Sequence, residues 1–116
     1  MAITFIEQHF SSETEAQQEI EHAGLWAVKK SPAAETNQSH WHAFDAQVYI
    51  LDGVLNLTDS ASGNVYACTK GCKIIVPEGT LHSESHEGYT ALFGTSVDPT
   101  QLSGPIQLPP EQLAEI

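Results

Sequence analysis

At 116 residues the chain is long enough for one domain with a real hydrophobic core. Its formal net charge is -11 and its four basic residues, Lys29, Lys30, Lys70 and Lys73, are all lysines, so it lacks the basic footprint that phosphate contacts require and nucleic acid is not an expected partner. No apolar run approaches the roughly 18 residues of a membrane span, and residues 1–7 lack the basic start and long apolar stretch of a signal peptide, so no membrane contact is expected and the cytoplasm is the expected location.

Residues 3–10 alternate loosely and predict a first strand. Ser12-Glu13-Thr14-Glu15 has the form of a capping box. Ala16, Ile20 and Ala23 then fall at helical spacing and Gly24 is a fitting stop, which predicts a helix over 13–23 with a solvated acidic face of Glu13, Glu15, Glu19 and Glu21. From Leu25 the pattern is β. Residues 25–28 form a strand that Ser31-Pro32-Ala33-Ala34 breaks. Residues 48–51 form another, ending at the hairpin dipeptide Asp52-Gly53, and residues 54–58 follow. After a turn at 59–64 come strands at 65–68 and 73–76, the latter closed by Pro77, and then two more at 82–86 and 89–97. Many short strands with regular turn signals predict an all-β sandwich or barrel. The chain divides into a strand and helix (1–24), a barrel (25–97) and a tail (98–116) whose prolines, Pro99, Pro105, Pro109 and Pro110, suit a path over the surface or onto a partner subunit. Cys68 and Cys72 are expected as buried, reduced thiols, because their spacing is not Cys-x-x-Cys and no second pair exists.

His40 and His42 are one residue apart, and His82 follows Pro77-Glu78-Gly79-Thr80-Leu81. On an extended strand, His-x-His puts both imidazoles on one face. Two imidazoles with a distant third and a nearby side-chain oxygen can hold a metal, for which neutral imidazole is the usual ligand. Alternation carries His42 inward with His40, and a short bend brings Gln47 inward, followed by Tyr49 and Leu51. Trp41, Val48 and Ile50 then face away. On the last strands His82, Glu84 and His86 share the inward face, with Tyr89 or Phe93 nearby. Several polar side chains converging on an apolar interior cost several kcal/mol unless paired, and a metal would pair them.

These segments resemble the two motifs of the cupin superfamily over residues 38–97. The first is carried by His40-Trp41-His42, Gln47 and Gly53, the second by Gly71, Pro77-Glu78-Gly79, His82 and His86. Three positions depart from the pattern: Gln47 stands where the family has Glu, five residues rather than six separate it from Gly53, and His86 replaces Asn. The resemblance implies a cupin-type double-stranded β-helix, a jelly-roll barrel with a short N-terminal helix. It also implies one divalent transition metal (Fe, Ni, Mn or Zn) on His40, His42, Gln47 and His82.

A three-histidine, one-amide set adds no negative charge, which favours a divalent Lewis acid over a trivalent metal. Gln47 cannot act as a general base, so Glu84, His86 or a metal hydroxide would do so, with Tyr49 as a donor to a substrate oxygen. Asp45 is expected as a turn residue, or as an acceptor for a ligand imidazole. Without arginine there is no guanidinium fork for an anionic substrate, which leans toward neutral molecules or metal chelators. The functional expectation is a mononuclear metalloenzyme of the dioxygenase, isomerase or lyase type, acting on a small oxygenated molecule. The alternatives are a non-catalytic module that binds a metal or small ligand, and a barrel with a merely packed interior. Val48 and Ile50, taken as outward, lead to the expectation of a homodimer through the outer sheet.

Overall fold

In the computed structural model, residues 3–98 and 107–110 are described. Strand β1 (Thr4–Ile6) leads into helix α1 (Glu13–His22). Seven strands follow: β2 (Trp26–Lys30), β3 (Ala33–His40), β4 (Ala46–Gly53), β5 (Leu55–Asp59), β6 (Val65–Cys68), β7 (Lys73–Val76) and β8 (His82–Thr95). Every strand pairing is antiparallel. One sheet runs β1-β7-β4-β8-β2, and the other runs β3-β8-β5-β6.

The long strand β8 belongs to both sheets, its first half in one and its second half in the other. The sequence predicts two strands there. Gly88, at φ +111°, lets a single strand turn the corner between sheets without breaking. Gly53 opposite has φ +80°, and a Cβ on it would lie 2.7 Å from the Gly88 carbonyl oxygen, so the corner closes only around glycine.

Helix α1 starts as its sequence predicts: the Ser12 hydroxyl accepts from the Glu15 N–H, and the Glu15 carboxylate accepts from the Ser11 N–H. Gly24 follows its end at φ +74°. Ala16 and Ile20 are fully buried and pack with Phe10, Tyr49 and Leu92 on the outside of the barrel. The larger core lies between the sheets and holds Val48, Ile50, Leu55, Leu57, Ile74, Val76, Tyr89 and Ala91. Cys68 and Cys72 are both buried there as free thiols, and burial pushes the Cys68 thiol up to about 12.

Val48 and Ile50 lie inside the barrel rather than outward, so they offer no outer face for a dimer. Strand β3 was not visible as a strand in the sequence, because its residues 33–39 are mostly exposed and polar and carry no apolar alternation. The prolines Pro99 and Pro105 of the tail lie outside the described residues. Residues 107–110 return to the barrel, where Leu108 exchanges two backbone hydrogen bonds with Trp41 at 2.9 and 3.1 Å and the Trp41 indole donates to the Pro109 carbonyl at 2.9 Å. Among the described residues no helix is long and apolar enough to cross a membrane.

Candidate metal centre

Strand β3 ends at His40, an irregular stretch carries His42, and β8 begins at His82. In the β3–β8 register His40 stands directly opposite His82. One ligand atom from each of the three histidines lies within 4.8 Å of the other two. Their ring centroids are 4.4 Å (His40–His82), 5.0 Å (His40–His42) and 5.1 Å (His42–His82) apart.

Backbone contacts between the two histidine segments hold this arrangement. The Gly79 N–H donates to the His42 carbonyl at 3.0 Å, and the Glu78 N–H donates to Asp45 Oδ1 at 2.8 Å. Asp45 is in turn fixed to Ser96, whose hydroxyl accepts from the Asp45 N–H. Asp45 therefore neither caps its own turn nor supports an imidazole: it fastens the turn before His82 to the loop after His42.

Two of the three imidazoles are oriented by backbone carbonyls. Nδ1 of His40 lies 2.7 Å from the Gln38 carbonyl, and Nδ1 of His82 lies 2.9 Å from the Thr80 carbonyl. A carbonyl only accepts, so each Nδ1 carries a proton, and in the neutral ring each Nε2 then presents its lone pair. Burial, with His40 adjacent, pushes the His82 pKa down to about 4 in spite of the Thr80 hydrogen bond, so His82 stays neutral and ready to bind a metal near neutral pH. His40 Nε2 is buried and, among the described residues, has no hydrogen-bond partner. Its contact with Glu84 Oε1, at 3.5 Å, is within ion-pair distance but does not have hydrogen-bond geometry. An orphaned buried nitrogen costs about 1–3 kcal/mol, and a metal ion is the partner that its lone pair and those of its neighbours fit.

His42 and His82 open onto a cavity of about 330 Å³. His42, His82 and Glu84 form one side; Phe44, Val48, Leu55, Leu57, Val76 and Phe93 form much of the apolar wall. Ala46 also lines it, as do Lys30, Glu35, Tyr89 and, from the returning tail, Gln107. Burial, reinforced by the carboxylates of Glu84 and Glu35, raises the Tyr89 pKa, so this residue remains a neutral phenol.

Of the remaining expected site residues, Glu84 lines the cavity and Gln47, Tyr49 and His86 do not. Gln47 is not with the histidines. Ala46 and Val48 line the cavity, so Gln47 between them points out of the barrel, and its Oε1 accepts from the Tyr49 hydroxyl at 2.9 Å. Tyr49 shares that outer face, fully buried beneath α1, and is not available to a substrate in the barrel. The bend after His42 is one residue shorter than an inward Gln47 requires. The spacing to Gly53 held the signal, because Ala46 rather than Gln47 has six residues between it and that glycine. Glu84 faces the cavity as expected. His86 is buried but does not line it; its Nδ1 accepts from the Gly88 N–H, its Nε2 lies 3.4 Å from Glu35, and its ring meets Tyr89 edge-on at 4.6 Å.

No protein-family model matches the sequence, and no curated protein matches it. Solved structures do. A DUF861-family protein from Thermotoga maritima superposes with a TM-score of 0.56 at 16% identity, over 79% of this chain and 97% of that one. A TDP-quinovose 3,4-ketoisomerase from Campylobacter jejuni gives 0.57 at 8% identity, over 79% and 74%. A polyketide cyclase from Streptomyces resistomycificus gives 0.52 at 16% identity, over 78% and 68%. At such identities the likeness speaks for the backbone alone, and together with the shared double-sheet barrel it makes this chain a protein of the cupin fold.

Proposed function

We propose that this protein is a mononuclear metal-binding cupin whose centre is held by His40, His42 and His82 and whose barrel takes a small oxygenated molecule. The observation that carries this reading is the buried, unpartnered His40 Nε2, within a cluster of three imidazoles, two of which have Nδ1 fixed by backbone carbonyls. A divalent ion bound there would supply Lewis acidity toward a coordinated oxygen. The residues around the cavity do the rest. The apolar wall excludes water from the body of the bound molecule. Tyr89 offers a phenol as hydrogen-bond donor, Glu84 a carboxylate as acceptor, and Lys30 a cationic group.

The cavity suits a compact molecule that is mostly apolar and carries a few oxygens, and two of the fold's neighbours are named as a ketoisomerase and a cyclase. Chemistry that rearranges an oxygenated carbon skeleton therefore comes first for an activity screen. A binding module remains the second reading, favoured by Ala46 standing where a fourth ligand could project into the cavity. The test is elemental analysis of untagged protein beside a His40→Ala/His82→Ala variant. About one divalent metal per chain, lost in the variant, is the expected result. Absence of metal after reconstitution, with unaltered stability of the variant, would rule the centre out.

A further inference from the structure

Three neutral imidazoles bring no negative charge to a dication within a largely apolar wall, where uncompensated charge is costly. Strand β4 supplies none: the residue it turns toward the cavity beside the triad is Ala46, whose methyl has nothing to donate. The carboxylate nearest the orphaned nitrogen comes from β8. Glu84 lies two residues beyond His82 and on the same face of the strand, so both line the cavity. Across the ladder, β3 pairs Asn37 with Glu84 as it pairs His40 with His82. The Asn37 side-chain amide donates to Glu84 Oε1 at 3.3 Å, and that same oxygen lies 3.5 Å from His40 Nε2.

That separation has a chemical meaning. The contact lacks hydrogen-bond geometry, since His40 Nε2 is without a hydrogen-bond partner. Two donor atoms each about 2.1 Å from one ion, at a tetrahedral angle, stand about 3.4 Å apart. Glu84 thus meets the cluster at His40 with the spacing of two ligands on one metal, while its carboxylate stands outside the group of three histidine nitrogens that lie within 4.8 Å of one another, so it joins all three by turning about its side-chain bonds.

We propose that Glu84 is the fourth protein ligand of the centre, so that the site's carboxylate comes from β8 and not from the β4 position that Ala46 occupies. This rests on the three-histidine reading above and extends it. Asn37 is then a positioning residue that aims the carboxylate.

Cobalt(II) is the probe. Apoprotein prepared with a chelator is titrated with Co²⁺, and affinity and visible absorption are followed for wild type, Glu84→Gln, and Glu84→Gln combined with Ala46→Glu. Glu84→Gln is nearly isosteric and can retain the Asn37 contact. It is expected to weaken Co²⁺ binding at least about 100-fold, at or beyond the upper end of what loss of an outer-shell partner costs. Its absorption bands should also shift as the ligand set changes. Ala46→Glu returns a carboxylate from β4 and is expected to recover most of the affinity. Wild-type affinity with an unchanged spectrum in Glu84→Gln would overturn this proposal alone. Failure of the wild-type protein to bind Co²⁺ would overturn the three-histidine centre with it.

Discussion

The Tyr49 hydroxyl donates to Gln47 Oε1 in a part-buried setting beneath α1, so the amide serves the outer face of β4 and not the histidine cluster. Gln47→Ala should therefore leave metal uptake unchanged while lowering stability by about 1 kcal/mol, the usual net worth of one hydrogen bond, because Lys73 and Glu19 remain beside the Tyr49 hydroxyl. Chemical denaturation beside a metal titration separates these outcomes, and a variant that is stable but metal-poor would contradict the placement. Strand parity explains why this residue misleads in sequence. A one-residue change in a bend flips every following side chain to the other face. His40, His42 and His82 escape that ambiguity, since His-x-His shares a face at any register and Pro77-Glu78-Gly79 anchors the third histidine. Ala46 escapes notice for another reason: a residue that leaves space has no chemical signature of its own.

At the level of elements, α1 is joined to the barrel by a charged contact as well as by Ala16 and Ile20. Glu19 accepts from Lys73 Nζ at 2.8 Å, and His9 Nε2 lies 2.8 Å from the same carboxylate. Burial works against the charge of Glu19, but the hydrogen bonds from Lys73 and His9 prevail and hold its pKa below the ordinary 4.5. A carboxyl with a lower pKa when folded stabilises the fold above its unfolded pKa and loses that contribution as pH falls through the folded one. Unfolding midpoints in urea should thus drop for wild type as the medium is acidified below 4.5. Glu19→Gln should start lower at neutral pH and show a shallower acid limb; parallel limbs would remove Glu19 from the account. The capping box and the Ala16–Ile20 stripe made this helix legible, as apolar alternation made β4 to β7 legible. The partners Glu19, Lys73 and His9 were not, because no local pattern pairs residues so far apart in sequence. Strand β3 was hidden as well, its exposed polar residues giving no period, although its last residue is the buried His40.

Across the whole molecule, the three histidines join segments that are far apart in the chain: the end of β3, the loop before β4 and the start of β8. Strand β8 belongs to both sheets, so an ion on His82 is tied to the element through which most of the barrel is connected. Unfolding separates these histidines and dissolves the site, so a metal bound there would be linked to global stability. With free metal at a hundred times its dissociation constant, the linkage is worth about 2.7 kcal/mol. For a domain of this size that raises the melting temperature by roughly 10 °C. Thermal unfolding of the apoprotein with and without added divalent metal should show that rise, reversed by chelator and absent in His82→Ala. A site formed only by local structure would instead leave the melting temperature unmoved while metal still bound. Simultaneous calorimetry and metal titration on one preparation distinguish the two, and the Asp45–Glu78 and Gly79–His42 contacts favour the linked outcome, because they already join the histidine segments that the ion would hold together.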